Sequence, residues 1–385
     1  MMDGRFHAVV AGGGPAGAAA ALALARGGRR VLLVDDRPRG AFRIGEALAP
    51  AALPLLRDLG VLARVLADGH LPRHGNLSSW GSPELHASDF IFDPNGHGFS
   101  LDRARFDASL LDGAREAGAG VRAARVASAG RDGDGGWRVV LRSPEGADQA
   151  VGCDWLVDAT GRSAAIARQH GARRVHADAL VAFHARFTAG REGDRDARTM
   201  IESAPDGWWY TALVPGGARV VAWLTDADLA DRAALLTEEG FVSRVAESRH
   251  LSAKLRAHDY TLTARPRGAD AGSARLDRFV GEGWIAAGDS ALSFDPLSSQ
   301  GILTALYTGM RAGQALHAHL AGDGAALAAY ANRLDEIHRA YRRNRTTFYR
   351  FEARWAEEPF WRRRGPEEED AVEDPTRAEA HSAAP

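Results

Sequence analysis

The sequence predicts an α/β fold in which a nucleotide-binding β-α-β unit is interleaved with an antiparallel sheet and followed by long helices. Three observations carry this. An apolar strand pattern at residues 6–11 ends in a glycine cluster that opens an alanine-rich helical stretch, 15–26, and a second apolar strand follows at 30–34. Between about 175 and 264 the pattern turns to strands, clearest at 180–187, 208–214 and 220–224, with one helix near 238–248. The chain then returns to a buried strand, 284–287, and closes on helical stretches at 301–320 and 325–351.

The intervening elements follow from local signals. Leu53, Leu56, Leu59, Leu62 and Leu66 space a helix within 50–67, after which 70–98 is irregular and rich in Gly, Pro, Ser and aromatics. Asp102 is placed as the N-cap of a helix over 103–117, with Phe106, Leu110 and Ala114 on one face and Gly118 beyond its end. Strands are expected at 121–126, 137–141 and 155–157, the first two joined by a Gly- and Asp-rich turn. The stretch 356–385 is acidic and poor in apolar residues, and is expected to be a disordered tail.

Bulk properties narrow the function classes. The formal net charge of −2 gives no electrostatic footprint for nucleic acid. The one cysteine, Cys153, rules out an internal disulfide and an all-cysteine metal site, no metal is expected, and a reducing cytoplasm fits. Residues 1–5 lack the features of a secretion signal, and the most apolar stretch, 15–25, is about half of what a membrane span needs. Basic residues are almost all arginine; lysine occurs only at Lys254.

Three motifs converge on one cofactor. The first is Gly12-Gly13-Gly14-Pro15-Ala16-Gly17, set between strand and helix. Gly12 permits the tight turn, Gly14 lets backbone amides approach a pyrophosphate, and Gly17 allows close helix packing, while the helix N-terminus favours the anion. Asp35, ending the second strand about twenty residues on, is placed to accept from a ribose. Taken alone, this Rossmann-like unit could hold NAD. The second motif, Asp154 to Arg162, is a buried strand ending in Asp158-Ala159-Thr160-Gly161. The third runs from Gly288 and Asp289 through Asp295, Pro296, Ser298 and Ser299 to Gly301 and Ile302 at the start of a long helix. Asp289 suits hydrogen bonding to ribityl hydroxyls, and the amides of Gly301 and Ile302 suit an electron-rich ring edge.

In this order the motifs resemble the FAD-dependent monooxygenase superfamily, which includes the para-hydroxybenzoate-hydroxylase fold, the flavin-dependent halogenases and the geranylgeranyl reductases. The "DATG" strand end resembles the second fingerprint of FAD-dependent hydroxylases. Arg43-Ile44-Gly45-Glu46-Ala47 resembles the halogenase branch's flavin strap, and Leu101-Asp102-Arg103 through Asp107 the "DRxxFD" segment, whose arginine lies near the cofactor. Trp80-Gly81-Ser82, Gly96-His97-Gly98 and Phe294-Asp295-Pro296-Leu297 look like the flavoproteins that mature tryptophylquinone enzymes. The resemblance implies a Rossmann-like FAD-binding domain (1–70, 100–174 and 265–322) interleaved with an antiparallel-sheet substrate domain (71–99 and 175–264), then a C-terminal helix (323–355). It implies FAD held by Gly12, Gly14, Pro15, Ala16, Gly17, Asp35, Arg43, Ala47, Arg103, Val126, Asp158, Gly161, Gly288, Asp289, Pro296, Ser299, Gly301 and Ile302. O2 would be the oxidant, and NAD(P)H or a separate flavin reductase the electron source.

The expected reaction is hydroxylation of an aromatic, indole- or tryptophan-like or phenolic, free or carried on a partner polypeptide. A dry pocket is needed, and Trp80, Trp208 and Tyr210 are candidates to line it. His97, between two glycines, is the candidate base, and Glu46 in the strap a second acid–base candidate. Arg342, Arg343 and Arg345 beside aromatic residues suit either an acidic partner or a solvated helix face. A C=C reductase or dehydrogenase and a non-catalytic maturation partner are alternatives. Halogenation is disfavoured because the resemblance calls for a lysine soon after the strap, and residues 47–253 contain none. Arginine stays protonated and is no substitute nucleophile.

Overall fold

The computed structural model describes residues 5–38, 40, 42–191 and 193–365. Its first eight-stranded sheet is built on a parallel core in the order Trp284–Ala286, Asp148–Asp158, Phe6–Ala11, Val31–Val34, Gly120–Arg122. The short strand Val280–Gly281 closes one edge antiparallel. A hairpin of Arg125–Arg131 and Trp137–Arg142 leans on Asp148–Asp158. Strands Phe6–Ala11 and Val31–Val34 are nearly continuous apolar runs because helices cover both faces of a parallel sheet. The run expected at 121–126 is two elements, Gly120–Arg122 and Arg125–Arg131, which part where the chain leaves the parallel core for the hairpin.

Helices Pro15–Arg26 and Gly301–Leu320 pack backbone against backbone. A Cβ at Gly309 would lie 2.1 Å from the Ala16 carbonyl oxygen, and one at Gly313 2.7 Å from that of Ala20. Glycines four apart share one helix face, so this pair is the surface that lets the long helix approach. The contact sets Ala16, at the start of one helix, beside Gly309, two turns into the other.

The second eight-stranded sheet runs Tyr260–Leu262, Leu180–Ala189, Ala218–Asp226, Gly207–Leu213, Thr199–Ala204, Gly75–Ser79, His86–Asp89. All neighbours are antiparallel except Thr199–Ala204 with Gly75–Ser79. Arg267–Asp270, which the sequence reading assigned to the first domain, pairs with Leu180–Ala189 in this sheet. A three-stranded sheet of Ala47–Leu48, Gly98–Ser100 and Leu71–Arg73 ties the strap to both layers.

The expected disordered tail from 356 is corrected over 356–365. Helix Pro359–Arg362 buries Phe360 and Trp361 against Tyr349, Trp208 and Leu180. Asp226 grips Arg364 at 2.6 Å and Arg363 at 3.1 Å. Two aromatics supply the apolar surface that the composition of 356–385 as a whole conceals. The remainder of that stretch, 366–385, lies outside the described residues.

Candidate active site

A cavity of about 630 Å³ runs between the two sheets, within the range of small-molecule and cofactor sites. At one end stands the N-terminus of helix Pro15–Arg26, whose cap residue Gly14 offers no side chain to its amides. Gly12 has φ +103°, and a Cβ there would sit 2.2 Å from the Ala159 carbonyl oxygen; a Cβ at Gly17 would sit 1.8 Å from that of Gly12. Gly12, Gly14, Pro15 and Ala16 line the cavity, whereas Gly17 faces the strand. Asp35 lines this end beside Arg37, which bonds both carboxylate oxygens.

The middle is bounded by charged side chains. Arg43 and Arg103 line it and share Asp107, at 3.0 and 3.3 Å. Arg103 also donates to the carbonyls of Ile44 and Gly45, at 3.1 and 2.8 Å, fixing the strap beside Ala47. Val126 and Gly161 line the opposite wall. Asp289 lines the cavity 3.8 Å from Arg162, and burial pushes its carboxyl above the usual carboxylate range.

At the far end Pro296, Ser299, Gly301 and Ile302 form the rim, at the uncapped start of helix Gly301–Leu320. Ser299 holds φ +50°, a left-handed turn that brings the loop round to the helix. Beyond lies an apolar wall of Ile44, Ala182, Ala222, Leu224 and Phe294, with the Tyr210 ring among them. Glu46, behind the strap, is 1% exposed; it accepts from the Gly45 amide at 2.9 Å, and its Oε1 meets no partner. Burial pushes the Glu46 carboxyl up and the adjoining Tyr210 phenol well up.

Several sequence assignments are corrected by position. Asp158 is fully buried and does not line the cavity: its carboxylate accepts from the Thr160 and Ala167 amides and from Ser290 at 3.0 Å, bolting the second motif to the third. Gly288 lies behind the wall, donating to Thr308 at 2.8 Å, where a Cβ would meet Ala16 at 2.6 Å. His97 is outside the cavity, packed on His74 and Phe99 at 5.1 and 4.8 Å with Nδ1 2.9 Å from the Gly98 carbonyl oxygen. Trp208 is fully buried, its indole donating to the Tyr349 hydroxyl at 3.2 Å. Trp80 lines a separate surface groove and donates to the Phe348 carbonyl at 2.8 Å. Strand alternation puts Trp208 and Tyr210 on one face, and both pack in the C-terminal aromatic cluster, but only Tyr210 also borders the cavity.

Arg162, Asp270 and Asp295 also line the cavity, although the sequence assigned none of them to the cofactor. Arg162 closes the second motif and Asp295 lies within the third, so both were legible; Asp270 belongs to neither. Asp295 accepts from Tyr349 at 2.7 Å and lies 3.5 Å from Arg345, which Asp178 holds at 2.9 Å. Arg345 is therefore an internal strut and not a surface contact for an acidic partner. Lys254 is also less exposed than its polar setting suggests: it sits 2.8 Å from Asp196, away from the cavity. No group of three or more His, Cys, Asp or Glu among the described residues could hold a metal ion, and none of their helices is long and apolar enough to cross a membrane.

The glycine loop leaves space at Gly14 that a larger residue would occupy, and two uncapped helix starts face one elongated cavity with a carboxylate between them. These residues fit FAD, phosphates at the first helix and the ring at the second. Fold and cavity together define a flavin-dependent oxidoreductase. The chain belongs to the FAD-binding domain family, whose pattern matches residues 5–345. It is 32% identical over 365 residues to the FAD-dependent oxidoreductase LodB of Marinomonas mediterranea, covering 93% of this chain and 96% of LodB. The myxobacterial chondrochloren halogenase CndH superposes with a TM-score of 0.82 at 25% identity, over 98% of this chain and 90% of that one. The peptidyl tryptophan dihydroxylase QhpG gives 0.77 at 27% identity, over 94% and 79%.

Proposed function

We propose that the protein is an FAD-dependent monooxygenase that hydroxylates an indole- or phenol-type ring, free or carried on a partner polypeptide, with O2 as oxidant and NAD(P)H or a separate flavin reductase as electron source. The observation that carries this is the apolar wall beside the start of helix Gly301–Leu320, which contains a phenol but no amine. The chain's sole lysine is spent on Asp196 elsewhere. The likeness to QhpG supports hydroxylation, while that to CndH bears on the fold more than on the chemistry, since the amine expected of a halogenase is missing.

When bound, FAD supplies oxygen activation and the transfer of one oxygen atom. The chain's residues bind, orient and dry the site. Gly12 permits the turn and Gly14 leaves room for phosphates at the helix start, and Arg43 and Arg103 hold the strap across the cavity. The amides of Gly301 and Ile302 would stabilise negative charge on a ring bound at this end of the cavity. Ile44, Ala182, Ala222, Leu224 and Phe294 exclude water, whose entry would waste reducing equivalents. Tyr210 directs its hydroxyl toward Glu46, so a proton leaving a phenol or indole nitrogen has a phenol oxygen, and behind it a buried carboxyl, to move toward.

The test is incubation of holoprotein with reductant, O2 and a panel of indoles, phenols and tryptophan-bearing polypeptides, followed by intact mass and oxygen consumption. Gain of one or two oxygen atoms in step with O2 uptake is expected. Hydrogen gain without oxygen dependence indicates a reductase, and a halogen mass in bromide buffer overturns the reading.

A further inference from the structure

Arg73 ends strand Leu71–Arg73 and is 1% exposed, yet it makes no ion pair among the described residues. Each of its hydrogen-bond partners is neutral. One Nη donates to the Asn76 side-chain oxygen at 2.5 Å and reaches the Thr199 hydroxyl at 3.4 Å, while the other donates to the Leu48 carbonyl at 3.2 Å. The guanidinium carbon lies 5.2 Å from the centre of the Phe90 ring, and Nε meets no partner. A buried guanidinium stays charged, so its countercharge lies beyond contact distance.

Glu46 presents the converse. It is as deeply buried, the Gly45 amide donates to one of its oxygens, and Oε1 is orphaned. The strap links the two residues, because Leu48, whose carbonyl accepts from Arg73, is two residues on from Glu46. The second large sheet links Arg73 to Tyr210. Register pairs Tyr210 with Ile201 and Thr199 with Asn76, and Thr199 and Ile201 are two residues apart on one strand. Both side-chain partners of Arg73 therefore lie on the face that carries Tyr210, one row along, roughly 7 Å away. The charged and titratable groups that meet here are few: Glu46 faces Tyr210, Arg73 and Arg103, and Tyr210 faces Glu46, Arg73 and Arg219. Arg103 is paired with Asp107, and Arg219 with Asp194 at 2.6 Å, which leaves Arg73 as the cation of this group without a carboxylate in contact.

We propose that Arg73 is a positioning residue for the reaction: its buried guanidinium is the countercharge that holds Glu46 as a carboxylate behind Tyr210, ready to accept a proton. The inference rests on the reading that Tyr210 and Glu46 take a proton from the substrate ring. In that step an O–H or N–H bond of the ring breaks and its proton passes to the Tyr210 oxygen, while the proton of Tyr210 passes to the Glu46 carboxylate and the electron pair stays on the ring. Glu46 is then neutral, and Arg73 faces the negative charge now on the ring, so the cation is compensated before and after the transfer. The same route returns the proton to the oxygen or nitrogen of the product, and Arg73 keeps its own proton throughout. Burial pushes the Glu46 carboxyl up, and the guanidinium opposes that push.

The test follows the Glu46 proton on FAD-loaded full-length protein, by infrared titration of the protonated-carboxyl band that Glu46→Gln removes; no substrate is needed. Arg73→Met is expected to move the midpoint of that band up by about one pH unit or more, a gain of about tenfold in proton affinity. Arg73→Lys keeps the charge and is expected to leave the midpoint within about half a unit of the unaltered protein. A midpoint unmoved by Arg73→Met, or moved as far by Arg73→Lys, overturns the proposal. Should Arg73→Met not fold, the double variant Arg73→Met with Glu46→Gln, which removes both buried charges, is expected to fold and bind FAD. Its failure overturns the proposal, because the loss then lies in packing and not in charge. With a phenol that the unaltered protein hydroxylates, the acid limb of kcat/KM is expected to move up with the band in Arg73→Met. A uniform loss at every pH, with the limb in place, overturns the positioning role. The band shift without oxygen incorporation into any ring overturns the monooxygenase reading alone; oxygen incorporation with an unmoved band overturns the role of Arg73 alone.

Discussion

Glu46 has one carboxylate oxygen bonded by its neighbour's amide and one with no partner, and it sits behind a tyrosine that faces the cavity. Tyr210→Phe is expected to retain FAD and lower turnover by about 10²-fold, the lower range for loss of a proton-transfer group. Undiminished turnover removes Tyr210 from the chemistry. Burial raises the folded-state pKa of Glu46 above its unfolded value. Its contribution to stability is therefore full below the ordinary carboxylate range and lost as pH rises through the raised value. Glu46→Gln should gain on the unaltered protein in melting temperature between mildly acidic and mildly alkaline pH; an offset that does not change with pH would falsify the assignment. Lys254→Met is expected to leave turnover and product unchanged, and to cost stability of about 1 kcal/mol, because the Asp196 pair is only partly shielded from solvent. Loss of turnover in that variant would return lysine chemistry to consideration.

At the scale of elements, what was legible followed from chemistry that is local in sequence. The glycines of the first motif are required by the turn and helix that contain them, so they read directly. Asp158 and Gly288 sit within legible motifs, but what they do depends on Ser290 and Thr308, partners that only the assembled sheet brings near. His97 misled because a histidine between glycines reads as mobile and reactive, whereas His74 and Phe99 hold its ring. Trp361 was hidden by the acidic run that follows it. Phe360→Ala and Trp361→Ala are each expected to destabilise by about 3–5 kcal/mol, measured as a fall in urea midpoint at constant slope, since they fill a closed aromatic cluster. A shift near zero would mean the segment leaves the sheet in solution. Gly309→Ala should push helix Gly301–Leu320 off Ala16 and weaken FAD binding, followed by flavin fluorescence; an unchanged affinity would show that the phosphate loop does not depend on that contact.

At the scale of the whole molecule, the cavity is walled by residues from both large sheets and from the loop before the long helix, so ligand binding and folding are linked. Excess FAD at about a thousand times its dissociation constant should stabilise the fold by about 4 kcal/mol, seen as a concentration-dependent rise in melting temperature. A melt indifferent to FAD would mean that the two sheets open without disturbing the site. The interleaving that groups 71–99 with 175–264 was expected from the sequence, but not that Gly75–Ser79 lies parallel beside Thr199–Ala204, because no sequence period encodes which distant strands pair.

That parallel pairing has a consequence for how the chain is made. The hairpin ending at Asp89 leaves the ribosome with its partner strand, beginning at Thr199, still about 110 residues from being synthesised. At synthesis rates of roughly 5–20 residues per second, the hairpin waits on the order of ten seconds with both edges bare. The nascent nucleotide-binding layer can gather Phe6–Ala11, Val31–Val34 and Gly120–Arg122 during that interval, but the second layer cannot start. Birth of this protein thus has an obligatory wait, during which an orphan hairpin carries Leu77, buried in the finished sheet, without its cover.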